Sequence, residues 1–559
     1  LPTRLENRFL VFAGAVLLYG VLSLLLPGRY QHFQMVLLTV LYLLVLPAAV
    51  FGLRESKPSG AAVLAPPTPT AGVLVLAAYL IPTLALSWIS SQGLLIPDES
   101  AYQFEARTFA SGEWAAQAPP GAPEHSADTP VALFFEHHVL DHGKWFGKYP
   151  VGWPLLLALG LRLHAGWVVN PLLGLLILWL TFVITRRLFG SALAALAVLM
   201  GVLSPFFIAN CVGRMAHPLC GVLMAGACLC CFAGLHTGRL GPFLWMYVLI
   251  GLGCHVRPVT AAGVGAPLAL GALWYLRRDR LFAPLLAAGA VAGAVTAGSV
   301  VVYNKIYTGR YLMSPYVLAS PHGPPDVDLH PAALLYHLTH QTRWAMRETV
   351  FYTFVFIFLL AAYAVWRERE HRREARILAW LFPMIVLVHL IEPAVNIEFS
   401  GERYYFEAYF AVLILAARGA ELLLRGWGTT RRTLAAGLTL LAALSIVQQV
   451  QAAEIILARS KPFREMRAAA ERYDGRHYLV FWRTTPPLVY GKHFNLNRPD
   501  WQNQDLFYLV DPGPGQRDEW ACRLDRPDWV VIGYDAAAAA ATEEIGKAGG
   551  CIAQPPAGK

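Results

Sequence analysis

Two acidic residues, Asp98 and Glu99, stand where the apolar stretch 71–96 breaks at a proline, in the string LLIPDESAYQFEARTFASGEW. A carboxylate at the mouth of a membrane helix is placed to take a proton from a hydroxyl that arrives at the interface. If the group expelled in such a reaction is a phosphate, its developing charge needs cations nearby. Lys148, Arg257, Arg310 and Arg403 are the candidates, with arginine able to grip phosphate through two parallel hydrogen bonds. Tyr102, Tyr149, Tyr404, Tyr405 and Glu407 accompany them and are candidate substrate contacts. Asp98 and Glu99 are both candidate catalytic groups, yet adjacent helical residues point about 100° apart. A single carboxylate acting once implies one displacement with inversion at the carbon attacked, whereas retention needs a second carboxylate as nucleophile.

The elements that must position these groups are membrane helices. The chain has 559 residues, 56% hydrophobic and 14% charged, a composition too apolar for an ordinary soluble enzyme. A crossing helix needs about 20 mostly apolar residues. Segments near that length recur at 8–26, 33–52, 71–91, 166–185, 190–209, 216–234, 242–258, 260–276, 282–303, 350–366, 377–394, 405–424 and 432–450, which makes 13 predicted spans. Arg54 and Lys57, Arg186 and Arg187, Arg239, the run at 277–280, the arginine-rich run 367–376, and Arg431 and Arg432 fall on alternate connections. Short basic loops stay cytoplasmic. The amino end is therefore expected inside and residues 451–559 outside. Most of the +9 charge is then a topology signal and not a nucleic-acid surface. The first apolar segment has basic flanks but no small-residue cleavage site after it, and is read as retained.

Three parts are expected on the exported face: loops 92–165 and 304–349, and the tail. Tyr102, Ala106 and Phe109 have helical spacing, so the segment after Pro97 is predicted to lie along the membrane surface as an amphipathic helix. Ser100 and Gln103 form a capping-box pattern, which leaves Asp98 without a structural duty. In the tail, a helical stretch (462–473) and strand-like runs at 477–482, 505–510 and 528–534 predict a small α/β domain. Six of eight cysteines lie in apolar surroundings, while Cys522 and Cys551 are the only pair in the tail, where an oxidising periplasm favours their disulfide. His137, His138 and His142, in HHVLDH, are secondary candidates for a divalent metal, which is not expected to be essential; no other cofactor is expected. Walker-type and dinucleotide glycine fingerprints are absent from the sequence.

The strings IPDESAYQFEARTFASGEW, GKYPVGWPLLLALG, GRMAHPL, YTGRYLMSPY and GERYYFEAYF, in that order, resemble bacterial members of the GT-C glycosyltransferase superfamily. The likeness is greatest to the protein O-mannosyltransferase and lipid A aminoarabinose transferase branch. It covers roughly residues 71–450 and leaves two additional helices within 1–70. The resemblance implies a GT-C core, a catalytic carboxylate at Asp98 and a phosphate-contacting lysine at Lys148, although KYPVGWP replaces the relatives' frequent double proline. It implies an inner-membrane enzyme that takes a sugar from a polyprenyl-phosphate carrier. The acceptor would be lipid A, a polysaccharide or a protein at the outer face. The alternatives are an undecaprenyl-diphosphate-dependent ligase or polymerase and, from another class, a polytopic lipid transporter. A transporter would carry ionisable groups near mid-bilayer, whereas here they gather at one interface.

Overall fold

The computed structural model describes residues 68–91, 93–319, 331–336, 339, 349, 353, 355–390, 397–398, 401–427, 445–461, 478–483, 495–524, 530–535 and 540–547. The predicted spans 8–26 and 33–52, most of 432–450, the helix expected at 462–473 and Cys551 lie outside the described residues.

Helix α1 (Pro69–Ser91) shows how the bundle is built. Its buried residues are Tyr79, Thr83, Ser87 and Ser90, one stripe at helical spacing, while Leu74, Ile81 and Trp88 are exposed. The polar stripe is bonded across to neighbours: the Tyr79 hydroxyl donates to the Pro171 carbonyl at 3.0 Å, and Ser87 Oγ donates to the carbonyls of Trp167 at 2.6 Å and Val212 at 2.9 Å. In lipid the apolar face needs no cover, and interhelical contact is made by small and hydrogen-bonding groups.

Next come α2 (Pro97–Ala110), α3 (Gly152–Arg162), α4 (Val169–Phe189), α5 (Ser191–Val202) and α6 (Pro205–Asn210). They are followed by α7 (His217–Thr237), α8 (Leu240–Cys254), α9 (Pro258–Leu276) and α10 (Phe282–Thr308). The bundle closes with α11 (Val355–Arg367), α12 (Arg372–Val388), a 3-10 turn (Arg403–Ala408) and α13 (Tyr409–Trp427). Among the described residues, five helices are long and apolar enough to cross a membrane: α1, Gly166–Phe189, α7, α9 and α10. The chain is a multi-pass membrane protein, and the count of 13 is not reproduced by the described residues. The span expected at 190–209 is two helices: the chain leaves α5 after Val202, and Ser204 caps α6 by accepting from the Phe207 amide.

Tracing these helices end to end places Arg186, Arg187, Arg239, the 277–280 run and the 367–376 run at one end of the bundle, and α2 at the other. Contacts join the basic end across helices: His236 to Glu374 at 3.0 Å, Arg418 to Glu368 at 2.6 Å, and the Phe189 and His371 rings with centroids 5.4 Å apart.

Beyond the helices the described residues form a two-stranded ribbon, Ile397–Glu398 with Gly401–Glu402, and two larger sheets. The loop after α2 holds β1 (Ala116–Gln117), β2 (His138–Asp141) and β3 (Lys144–Gly147), antiparallel in the order β1-β3-β2. The tail holds β4 (Tyr478–Arg483), β5 (Leu506–Val510), a helix (Pro514–Arg523), β6 (Val530–Asp535) and β7 (Ala540–Lys547). Strand order is β5-β4-β6-β7, with only the β6–β7 pair antiparallel. A second apolar core, separate from that of the bundle, joins the two sheets through Phe104, Trp145, Leu479, Phe481, Trp501, Phe507 and Trp520.

That core corrects the reading of α2. Eleven of its residues are buried, polar ones included, so it is sandwiched inside protein and is not an amphipathic helix at the lipid surface. Its N-cap is Ile96, and Ser100 lies within the helix with its hydroxyl on the Pro97 carbonyl at 2.6 Å, so the expected capping box does not form.

Candidate functional site

Asp98 occupies the first turn of α2, directly after Pro97. Its Oδ1 accepts the Tyr149 hydroxyl at 2.5 Å and faces Arg403 Nη2 at 3.4 Å, and its Oδ2 lies 3.7 Å from His137 Nε2. The three partners come from distant parts of the chain: the turn just before β2, the string following β3, and the 3-10 turn before α13. Burial acts to raise the pKa of Asp98, but Arg403, His137, the Tyr149 hydroxyl and Lys148 together outweigh it and hold the carboxyl well below its ordinary range. The helix N-terminus at the same point also favours the charged form.

An aromatic shelf borders the carboxylate. Tyr102 and Tyr149 stack with centroids 4.4 Å apart. Lys148 Nζ lies over the rings of Tyr316 at 4.2 Å and Tyr149 at 5.3 Å, a cation–π arrangement that parks the ammonium beside Asp98. The Tyr149 backbone is fixed from α10, where the Tyr303 hydroxyl donates to its carbonyl at 2.8 Å.

A second polar group stands next to the first. Glu407 Oε1 meets Arg257 Nε at 3.1 Å and His217 Nδ1 at 3.0 Å, and all three side chains are wholly or mostly buried. Burial pushes the Glu407 carboxyl up, with Arg257 opposing; burial acts to lower the pKa of Arg257 and Glu407 outweighs it, so the guanidinium stays charged. Tyr404 joins the two groups: it stacks on His389 at 4.9 Å, and the guanidinium carbons of Arg257 and Arg403 lie 4.9 and 5.4 Å from its centroid. His217 Nε2 and Glu407 Oε2 are buried and have no hydrogen-bond partner among the described residues.

Of the residues singled out in the sequence, Asp98, Tyr102, Lys148, Tyr149, Arg257, Arg403, Tyr404 and Glu407 therefore come together. Others do not. Glu99 points away and is spent on backbone, accepting the amides of Leu95 at 2.8 Å and Arg214 at 2.7 Å. Tyr405 is buried against Phe382, at 5.8 Å between rings. Arg310 is exposed in the loop after α10, where its amide donates to Thr308 Oγ1 at 3.2 Å.

The three histidines offered for a metal also separate. His137 faces Asp98. His138 is buried, neutral because burial lowers its pKa to about 3, and both ring nitrogens are engaged, by Ser100 Oγ at 3.4 Å and Asn495 Nδ2 at 3.2 Å. His142 pairs instead with Asp141 and stands near His125. In the tail, Cys522 is disulfide-bonded, and the six cysteines of the bundle are free.

Sequence reasoning did not single out Tyr316, Tyr303 or His389 as part of this group. A histidine closing an apolar run, as His389 does, was the available signal. Glu105 was also passed over. It is buried beside Gly147, its oxygens have no close hydrogen-bond partner among the described residues, and burial raises its pKa while the Gly147 amide opposes.

No family model matches the sequence, and no curated protein matches it. Solved structures do. ArnT from Cupriavidus metallidurans in the apo state is similar at TM-score 0.51, with 14% identity, over 83% of this chain and 93% of that one. The same protein bound to undecaprenyl phosphate is similar at TM-score 0.50, with 15% identity, over 79% and 86%. Arabinosyltransferase EmbB from Mycobacterium smegmatis aligns over 80% of this chain and 46% of its own, with 15% identity and TM-score 0.33. With the bundle, α2 and the sheet that follows it in place, the chain shares the fold of these ArnT structures.

Proposed function

We propose that this protein is an inverting glycosyltransferase that moves a sugar from a polyprenyl-phosphate carrier to a hydroxyl or phosphate on a lipid, glycan or protein acceptor. It would work at the outer face of the inner membrane, with the amino end in the cytoplasm and the tail domain in the periplasm. The observation that carries this reading is an ionised Asp98 held between Arg403, His137 and Tyr149, with Lys148 and Arg257 alongside, at the non-basic end of a membrane bundle. The likeness to ArnT, whose structure was solved with undecaprenyl phosphate, supports a carrier of that chemistry.

In this reading the donor phosphate lies against Lys148 and Arg403, and Arg257 faces it across the Tyr404 ring. His217 Nε2 and Glu407 Oε2 are available to polar groups of the donor. The acceptor oxygen bonds to the anomeric carbon as the bond from that carbon to the phosphate oxygen breaks. Its proton passes to Asp98, and the electron pair leaves with the phosphate, whose added charge the cations take up. A carboxylate with so low a pKa is a feeble base in the empty site. A phosphate that draws Arg403 and Lys148 toward itself removes the charges that depress Asp98, so donor binding raises its basicity.

The test is transfer and donor-cleavage assays on the full chain in lipid nanodiscs, supplied separately with polyprenyl monophosphate and diphosphate sugars. Monophosphate turnover is expected, with Asp98→Asn reducing kcat by about 10²–10⁴-fold while carrier binding persists. Turnover of diphosphate donors alone would transfer the assignment to the ligase class. Full activity in Asp98→Asn would remove the carboxylate from the chemistry.

A further inference from the structure

The group formed by His125, Asp141 and His142 lies apart from the groups around Asp98 and Glu407. One nitrogen from each histidine and a carboxylate oxygen all fall within 4.8 Å of one another. Asp141 and His142 sit at the tip of the β2–β3 hairpin, and His125 reaches them from the preceding loop, so the group ties together two segments of the chain. Several contacts hold these residues in place. Asp141 is buried, with Oδ1 accepting the Ser126 amide at 3.2 Å and Oδ2 meeting His142 Nδ1 at 2.8 Å. His142 has φ 48°, a left-handed conformation uncommon for a residue with a side chain, and its amide donates to the Glu124 carbonyl at 2.8 Å. The His125 and His142 rings are 5.1 Å apart.

We infer that these three residues form a divalent transition-metal site, with zinc the best fit to two imidazoles and one carboxylate. Ligand atoms around a tetrahedral zinc ion are each about 2.0–2.2 Å from it, hence nearer to one another than the present spread. Rotation of the exposed His125 side chain closes that gap, and solvent completes the fourth position. The ion displaces the proton that His142 Nδ1 shares with Asp141. The site is built for bracing: Ser126 Oγ also donates to the Leu318 carbonyl at 3.2 Å, in the turn that sets Tyr316 over Lys148. A bound ion therefore stiffens the wall beside the ammonium without touching the reacting groups. The inference does not depend on the proposed reaction.

The experiment uses the full chain in detergent, without a histidine tag and stripped with chelator, titrated with Zn²⁺ by calorimetry and with Co²⁺ by visible absorption. One ion per chain is expected, with a tetrahedral Co²⁺ spectrum. His125→Ala and His142→Ala should each weaken binding at least about tenfold, as loss of a ligand does, while the control His164→Ala leaves it unchanged. Absence of stoichiometric binding, or binding that both His125→Ala and His142→Ala leave intact, overturns the assignment. Both histidines are solvent-exposed, so these variants are expected to fold.

Discussion

Asp98 and Glu99 are neighbours with opposite duties, and only their surroundings distinguish them. Glu99 is fully buried and bonded to two backbone amides, so it joins the segment after α1 to the Arg214 turn. Glu99→Gln should replace one accepting oxygen with a donor facing an amide, costing about 1–3 kcal/mol. The expected result is a lower Tm and lower yield, with per-molecule donor turnover largely kept. Asp98 has the contrary signature in a pH series. Its pKa is depressed in the fold, so its stabilisation is present above the unfolded carboxyl value of about 3.9 and is lost only as pH falls through the folded value. The Tm gap between wild type and Asp98→Asn should therefore be flat from about pH 8 to pH 5 and narrow only below about pH 4. A gap that closes between pH 7 and pH 5 would mean that Arg403 and His137 do not hold the carboxylate ionised.

At the scale of elements, α2 and β3 are pressed together with no slack. A Cβ on Gly147 would stand 2.7 Å from the carboxyl carbon of Glu105, so either that buried side chain or the end of β3 must shift to admit one. Lys148 and Tyr149 follow immediately, and a displacement of that order at a positioned group can lower activity by as much as about 10²-fold. Gly147→Ala is expected to raise the KM for the lipid donor at least about tenfold, and Gly147→Ala with Glu105→Ala to recover most of the loss. Failure of the double variant to recover would show that the glycine matters for its backbone and not for the close approach. The sequence carried the helices of this region well, because apolar runs and a proline break are local signals. It did not carry the β1-β3-β2 sheet, whose strands are short and whose pairing joins residues about thirty positions apart in the case of Ala116 and Trp145.

At the scale of the molecule, the apolar core shared by the two sheets fixes the tail on the same side as Asp98, since Leu479, Phe481 and Trp501 pack with Phe104 of α2. The basic connections lie at the other end, which the proposed topology puts in the cytoplasm. Gln502→Cys, exposed on the tail, should then be labelled by an impermeant maleimide in intact spheroplasts. Arg278→Cys, exposed in the loop between α9 and α10, should be labelled only after permeabilisation. The reverse pattern would invert the topology and place the site in the cytosol.

What the chain determines by itself is the medium it lives in and the kinds of group it brings to one interface. Hydropathy and charge asymmetry act over short windows, so the spans α1, α4, α7, α9 and α10, the alternating basic loops and the tail strands could be read without coordinates. Asp98, Lys148, Arg257 and Arg403 were recognisable because an ionisable side chain at a membrane boundary is costly unless paired or used. Which of these side chains meet was decided only by the tertiary structure. Arg403 is separated from Asp98 by 305 positions and Glu407 from His217 by 190, and no local pattern encodes such distances. The same holds for the metal-like group, where chain proximity suggested His137, His138 and His142. Backbone turns sent the first toward Asp98 and the second into the sheet core, and brought His125 to the third.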